Sequence, residues 1–176
     1  MTWLLLIYTV PAAPSRKRAA IWRGVKRLGA VYLRDGVCIL PEQPDTLGAL
    51  RSLAGQVEAF GGQATLGQSV MLDAPRVEAV VAQFQAARAD EYAEVAREAE
   101  QLLAHLARET EHRDFSYAEL EEIEQDLVKL KRWTDQVRAR DYFGPGLDSN
   151  VHELFARCDA ALETFVEAAA EASRHR

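Results

Sequence analysis

Between Arg16 and Arg27 the chain carries six cations, Arg16, Lys17, Arg18, Arg23, Lys26 and Arg27, with Trp22 among them. Guanidinium groups present a planar fork of N–H donors that fits phosphate and carboxylate oxygens, and ammonium groups add point charge. On a helix, Arg16, Arg23 and Arg27 fall close together, while Trp22 and Val25 are free to face a sheet. Such a face can grip phosphates, with an affinity that falls as salt rises. The plainer alternative is a solvated face, or one ion-paired with the acidic remainder of the chain. No RNA-reading box accompanies the cluster.

Three further groups could do chemistry. His105, Glu109 and His112 recur at i, i+4 and i+7, a spacing by which two imidazoles and a carboxylate can face one cation. No fourth ligand stands beside them, and they read as surface residues. Glu119, Glu121, Glu122, Glu124 and Asp126 crowd another helix, but only Glu119, Glu122 and Asp126 fall at i, i+3 and i+7. No histidine stands at ligand spacing on that helix, so the run reads as solvated surface. No metal and no cofactor are expected at either place. Arg132, Arg138 and Arg140 lie with Trp133, Tyr142 and Phe143 around a helix end. They read as a structural clasp, with an anion site as the alternative; Arg140 and Asp141 would pair locally or hold the first part of the chain. No Ser-His-Asp, Cys-His, P-loop or GxGxxG pattern occurs, and a non-enzymatic protein is expected.

The totals agree with a folded binding protein. The 176 residues fit one domain or a small domain with an appendage, and 48% hydrophobic residues supply a core. The net charge of −6 is unevenly spread. Residues 1–72 hold eight Lys or Arg against four Asp or Glu, and residues 73–176 hold thirteen against twenty-three. A basic front and an acidic rear exclude a uniform nucleic-acid coat and favour a local site. Cys38 and Cys158 belong to no CxxC pair and read as buried thiols of a reducing compartment. The apolar run at residues 3–10 is too short to span a bilayer and has no preceding positive charge, so a cytoplasmic protein is expected.

The elements that must position these groups follow from periodicity. An apolar strand at Trp3–Tyr8 is broken by Pro11 and Pro14, and a helix opens at Ser15 and stops at Gly29. Strands at Ala30–Leu33 and Val37–Leu40 flank an Asp35-Gly36 turn. Leu47, Leu50, Leu53, Ala54, Val57 and Phe60 form a second helical stripe, which Gly61-Gly62 ends before a strand within Gln63–Leu72. This β-α-β-β-α-β order predicts an α+β, ferredoxin-like domain over 1–74, with two helices on one face of an antiparallel sheet. A helical appendage over 75–176 follows, docked on that domain. It contains a long helix at about 76–110, which could bend near Arg88–Asp90. A second helix lies behind a Ser116–Glu119 capping box, and a third starts near Leu147 or Ser149.

Two segments together carry a family resemblance. Trp3–Pro11 (WLLLIYTVP), Ser15–Arg18 (SRKR), Trp22-Arg23, Lys26–Ala30 (KRLGA) and Leu40-Pro41 resemble the N-terminal domain of the chromate resistance protein ChrB. So do Phe115–Glu122 (FSYAELEE), Asp126-Leu127, Lys131–Trp133 (KRW) and Ala139–Gly144 (ARDYFG). The resemblance implies a bacterial, cytoplasmic, chromate-responsive transcriptional regulator linked to a chromate-efflux operon. It would bind DNA, the promoter of its own operon, or a regulatory partner through the basic helix. In full-length members a C-terminal domain associated with oxyanion sensing follows. The expectation here is a stand-alone homologue of the N-terminal part or the partner of a separately encoded sensor. The first segment also resembles the module shared by small CRISPR-associated nucleases and the PaaX regulators. Thr9-Val10-Pro11 stands where the nucleases carry an acidic residue, which weighs against a metal-dependent nuclease. A homodimeric structural module without DNA binding is the other alternative.

Overall fold

The computed structural model describes residues 1–113, 115–144 and 148–174, with the side chains of residues 148 and 149 left out. Its class is mixed α/β: one four-stranded antiparallel sheet and, among the described residues, five helices. The order is β1 (Trp3–Thr9), α1 (Ser15–Arg27), β2 (Val31–Arg34), β3 (Val37–Pro41), α2 (Thr46–Ala59), β4 (Gln63–Ser69), α3 (Ala74–His112), α4 (Tyr117–Ala139) and α5 (Asp148–Arg174). The chain gathers into two compact units, Met1–Gln85 with Arg140–Phe143, and Ala86–Ala139 with the chain from Gly144 onward.

In the first unit the strands lie in the order β2-β3-β1-β4. The most apolar strand, β1, is central and antiparallel to both β3 and β4, with Leu6 opposite Cys38 on one side and Leu66 on the other. A strand paired on both edges is largely apolar where it is covered, as at Trp3, Leu4 and Leu6, while Ile7 and Thr9 are exposed. Successive side chains leave by opposite faces. Leu4 meets Leu47 and Leu50 of α2. Trp3, on the other face, stacks on Phe84 at 6.0 Å and on Phe143 at 5.9 Å. Phe84 also meets the edge of Tyr142, whose hydroxyl donates to the Leu28 carbonyl at 2.7 Å. Trp3 is fully buried, and its indole N–H has no partner among the described residues.

Both helices of this unit end in the same way. Gly29 (φ +69°) donates to the Lys26 carbonyl at 2.9 Å, and Ala30 donates to that of Val25 at 3.2 Å. Gly61 (φ +83°) and Gly62 repeat the pattern onto Glu58 and Val57. These are Schellman closures, which need a left-handed residue just past the helix. They fix where each helix hands over to the next strand.

In the second unit, α3, α4 and α5 share one core. Tyr92, Val95, Ala99, Leu102 and Leu106 of α3 meet Ile123, Leu127 and Val137 of α4 and Val151, Leu154, Phe155, Cys158 and Phe165 of α5. Pro145, Gly146 and Leu147 lie outside the described residues. Cys38 and Cys158 are free and buried, and burial pushes the Cys38 thiol up to about 11.

Candidate nucleic-acid interface on helix 1

The position of each cation follows from which face of α1 is buried. Ile21, Gly24 and Val25 face the core. Gly24 belongs there because α2 passes close: a Cβ at this position would lie 2.5 Å from the Leu53 Cδ1. At about 100° per residue, Arg16, Arg23, Lys26 and Arg27 then point away from the core, and Arg18 flanks it. All five are exposed.

Lys17 is different. It falls on the buried side, donates from Nζ to the Phe60 carbonyl at 3.0 Å, and lies over the Phe60 ring at 5.7 Å. That carbonyl is at the end of α2, where helix carbonyls lack intrahelical partners and favour a cation. Lys17 therefore ties α1 to α2 and is half-buried rather than offered to solvent.

The expectation that Trp22 faces the sheet is corrected: Trp22 is 53% exposed. The buried stripe passes through Gly24 instead, which leaves the indole on the flank of the outer face. Lys26 Nζ sits 5.8 Å from its ring centroid, a cation–π contact. An aromatic ring beside free cations suits a polyanion that also has planar groups.

None of the six cations on α1 has a carboxylate within ion-pair distance among the described residues. The helix holds no acidic residue, and its first turn carries Arg16, Lys17 and Arg18, where the helix dipole disfavours positive charge. A phosphate or carboxylate placed there would relieve both effects.

The second arginine group is divided between the two units. Arg132 is exposed on α4. Arg138 pairs with Asp135 at 3.0 Å and contacts His152 Nε2 at 2.9 Å. Arg140 opens the segment Arg140–Phe143, which belongs to the first unit with the aromatic cluster around Trp3. Within that unit Tyr142 donates to the Leu28 carbonyl and Phe143 packs on Trp3 and Phe84.

The capping box is half-formed. Glu119 N–H donates to Ser116 Oγ at 3.1 Å, but the Glu119 carboxylate reaches His105 Nε2 of α3 at 2.5 Å rather than returning to its own cap. His105 Nδ1 lies 3.9 Å from Glu109. The structure thus joins His105 and Glu109 to Glu119, and not to His112, which is exposed. A spacing rule confined to one helix could not have found this group.

These features define a chain of mixed α/β class with an uncompensated basic helix beside its sheet. A family model described as "Protein ChrB, N-terminal" matches residues 18–176, and the chain belongs to that family. Protein ChrB of Cupriavidus metallidurans strain CH34 is 41% identical over 61 residues, which cover 35% of this chain and 19% of that protein. The match thus spans about a fifth of the curated relative's length.

Proposed function

We propose that the chain is a non-enzymatic, ChrB-like transcriptional regulator associated with chromate resistance, acting in the bacterial cytoplasm. It binds the promoter of its own operon through the outer face of α1. The observation that carries this reading is that Arg16, Arg18, Arg23, Lys26 and Arg27 are exposed and have no carboxylate partner among the described residues. Exposed charge that the protein does not neutralise is available to displace counterions from a phosphate backbone. The exposed indole of Trp22 adds an aromatic contact at its edge. Sheet order β2-β3-β1-β4, with crossovers through α1 and α2, supports reading the first unit as ferredoxin-like. Among the described residues no helix is long and apolar enough to cross a membrane.

The test is fluorescence anisotropy with a labelled duplex from that promoter beside a scrambled duplex, at several salt concentrations. Preference for the promoter with a steep salt slope is the expected result. No binding to either duplex at low salt overturns the reading.

A second reading is a homodimeric structural module. It is favoured by apolar side chains left open on and beside the sheet, Ile7 at 50%, Leu33 at 38% and Val70 at 63% exposure. A dimer in sedimentation equilibrium that has no affinity for DNA would select it.

A further inference from the structure

Glu109 and Glu119 are acids in an unusual position. Their side chains are 19% and 25% exposed, and among the described residues neither has a Lys or Arg within ion-pair distance. Each instead faces the same imidazole, His105, which is 34% exposed. Two shielded carboxylates leave negative charge that one imidazole, even protonated, does not cancel. Desolvated charge of this kind is retained where a cation compensates it.

The three side chains can each turn one ligand atom toward a common point, those atoms lying within 4.8 Å of one another. Ligands about 2.0–2.2 Å from a tetrahedral ion lie about 3.3–3.6 Å from one another, a spacing that small side-chain rotations reach from here. His105 and Glu109 lie one turn apart on α3. Glu119 comes from the first turn of α4. Two helices thus meet at the group, so an ion there would bridge them. His105 also lines an open groove of about 620 Å³, which offers an entry path. Glu94, Glu98, Glu122 and Asp126 of the same groove outnumber Arg108 and Lys129, giving it a negative field.

We propose that His105, Glu109 and Glu119 form a binding site for one divalent first-row transition cation, with water in the remaining position. One imidazole nitrogen and two carboxylate oxygens are the donors that Zn²⁺ or Mn²⁺ takes, and three protein ligands leave the ion open to solvent. The Glu119 side chain rotates away from His105 Nε2 to admit the ion between them. This inference does not depend on DNA binding by α1.

The experiment is isothermal titration of Zn²⁺ into protein made without a histidine tag, with the melting temperature followed by circular dichroism. The wild type should bind one ion per chain and melt higher with Zn²⁺ than without, because the ligand binds the folded state. His105→Ala and Glu119→Gln should each lose at least about tenfold in affinity and most of that rise in melting temperature. His112→Ala, two turns from His105 on the same helix, should bind as the wild type does. Absence of saturable binding by the wild type overturns the proposal. So does equal binding by Glu119→Gln, or a loss confined to His112→Ala. If His105→Ala melts too low to titrate, Glu109→Gln decides in its place by the same tenfold criterion.

Discussion

Helices α1 and α4 both carry clustered basic residues, and they treat them in opposite ways. On α4, Lys129 pairs with Asp126 at 2.8 Å, Lys131 with Asp159 at 2.7 Å, and Arg138 with Asp135 at 3.0 Å. On α1 no cation has such a partner among the described residues. The cause lies in the sequence. Acids stand three residues before Lys129 and Arg138, and α5 brings Asp159 to Lys131, whereas Ser15–Arg27 contains no acid. The two tryptophans follow the same division: Trp133 packs half-buried on the three-helix core, while Trp22 lies exposed under Lys26. Charge density alone does not mark an interface. On the proposed reading, charge that the fold leaves unneutralised does.

The strongest way to break this comparison is to reverse charge on each helix. Arg23→Glu with Arg27→Glu should lower affinity for the promoter duplex by about a hundredfold or more, roughly 2.7 kcal/mol, with the melting temperature within a few degrees of wild type. Lys131→Glu should leave DNA affinity unchanged within about twofold. Anisotropy and thermal melts on the same preparations check both. Equal losses on the two helices would erase the distinction.

Both units bury a thiol, and burial raises Cys158 as it raises Cys38. Burial raises the Cys38 thiol from 9.0 to about 11, and burial raises Tyr8 and Tyr32, whose hydroxyls share a 2.8 Å hydrogen bond. An acid whose folded pKa is raised keeps its proton in the native state while the unfolded chain loses it. Its stabilising effect is therefore whole below pH 9 and is lost as pH rises through 11. For Cys38 that loss is about 2–3 kcal/mol, and the tyrosines act with the same sign. Urea midpoints from pH 8 to 11 should fall steadily for wild type and less steeply for Cys38→Ala.

The tryptophans give a smaller contrast. Trp133→Ala should cost about 1–3 kcal/mol by emptying a half-buried site, while Trp22→Ala should change stability by less than about 0.5 kcal/mol. Trp22→Ala should instead weaken DNA binding by about 1 kcal/mol, some fivefold. Denaturant midpoints and anisotropy separate the two effects. A stability loss at Trp22 matching that at Trp133 would return it to the core.

Much of this was legible from residue types. The element order, the helix stops at Gly29 and Gly61, the free thiols and the apolar central strand all follow from local patterns, because each depends on neighbours within a few positions. Three features were not legible, and each turns on tertiary geometry. Trp22 was expected to face inward because it is the largest apolar residue on α1. Close approach by α2 makes Gly24 the buried residue instead and rotates the indole outward. Lys17 looks like the other five cations until the end of α2 captures it. Glu119 has the spacing to close its own capping box, but an imidazole from α3 competes for the carboxylate.

The least expensive ion pair to lose sharpens the comparison from the other side. Lys131 and Asp159 are 43% and 49% exposed, so water screens their attraction and holding both side chains costs entropy. Lys131→Ala should therefore cost only about 0.5 kcal/mol, a shift of a degree or two in the melting temperature. The pair's larger consequence is electrostatic. It cancels a charge that would otherwise face solvent, and Asp159→Asn, which frees Lys131, should give that face a weak, salt-sensitive affinity for non-specific duplex that the wild type lacks. If anisotropy at low salt shows no gain for Asp159→Asn, the absence of partners on α1 does not by itself account for DNA binding, and the arrangement of Arg23, Lys26 and Arg27 around Trp22 must carry it.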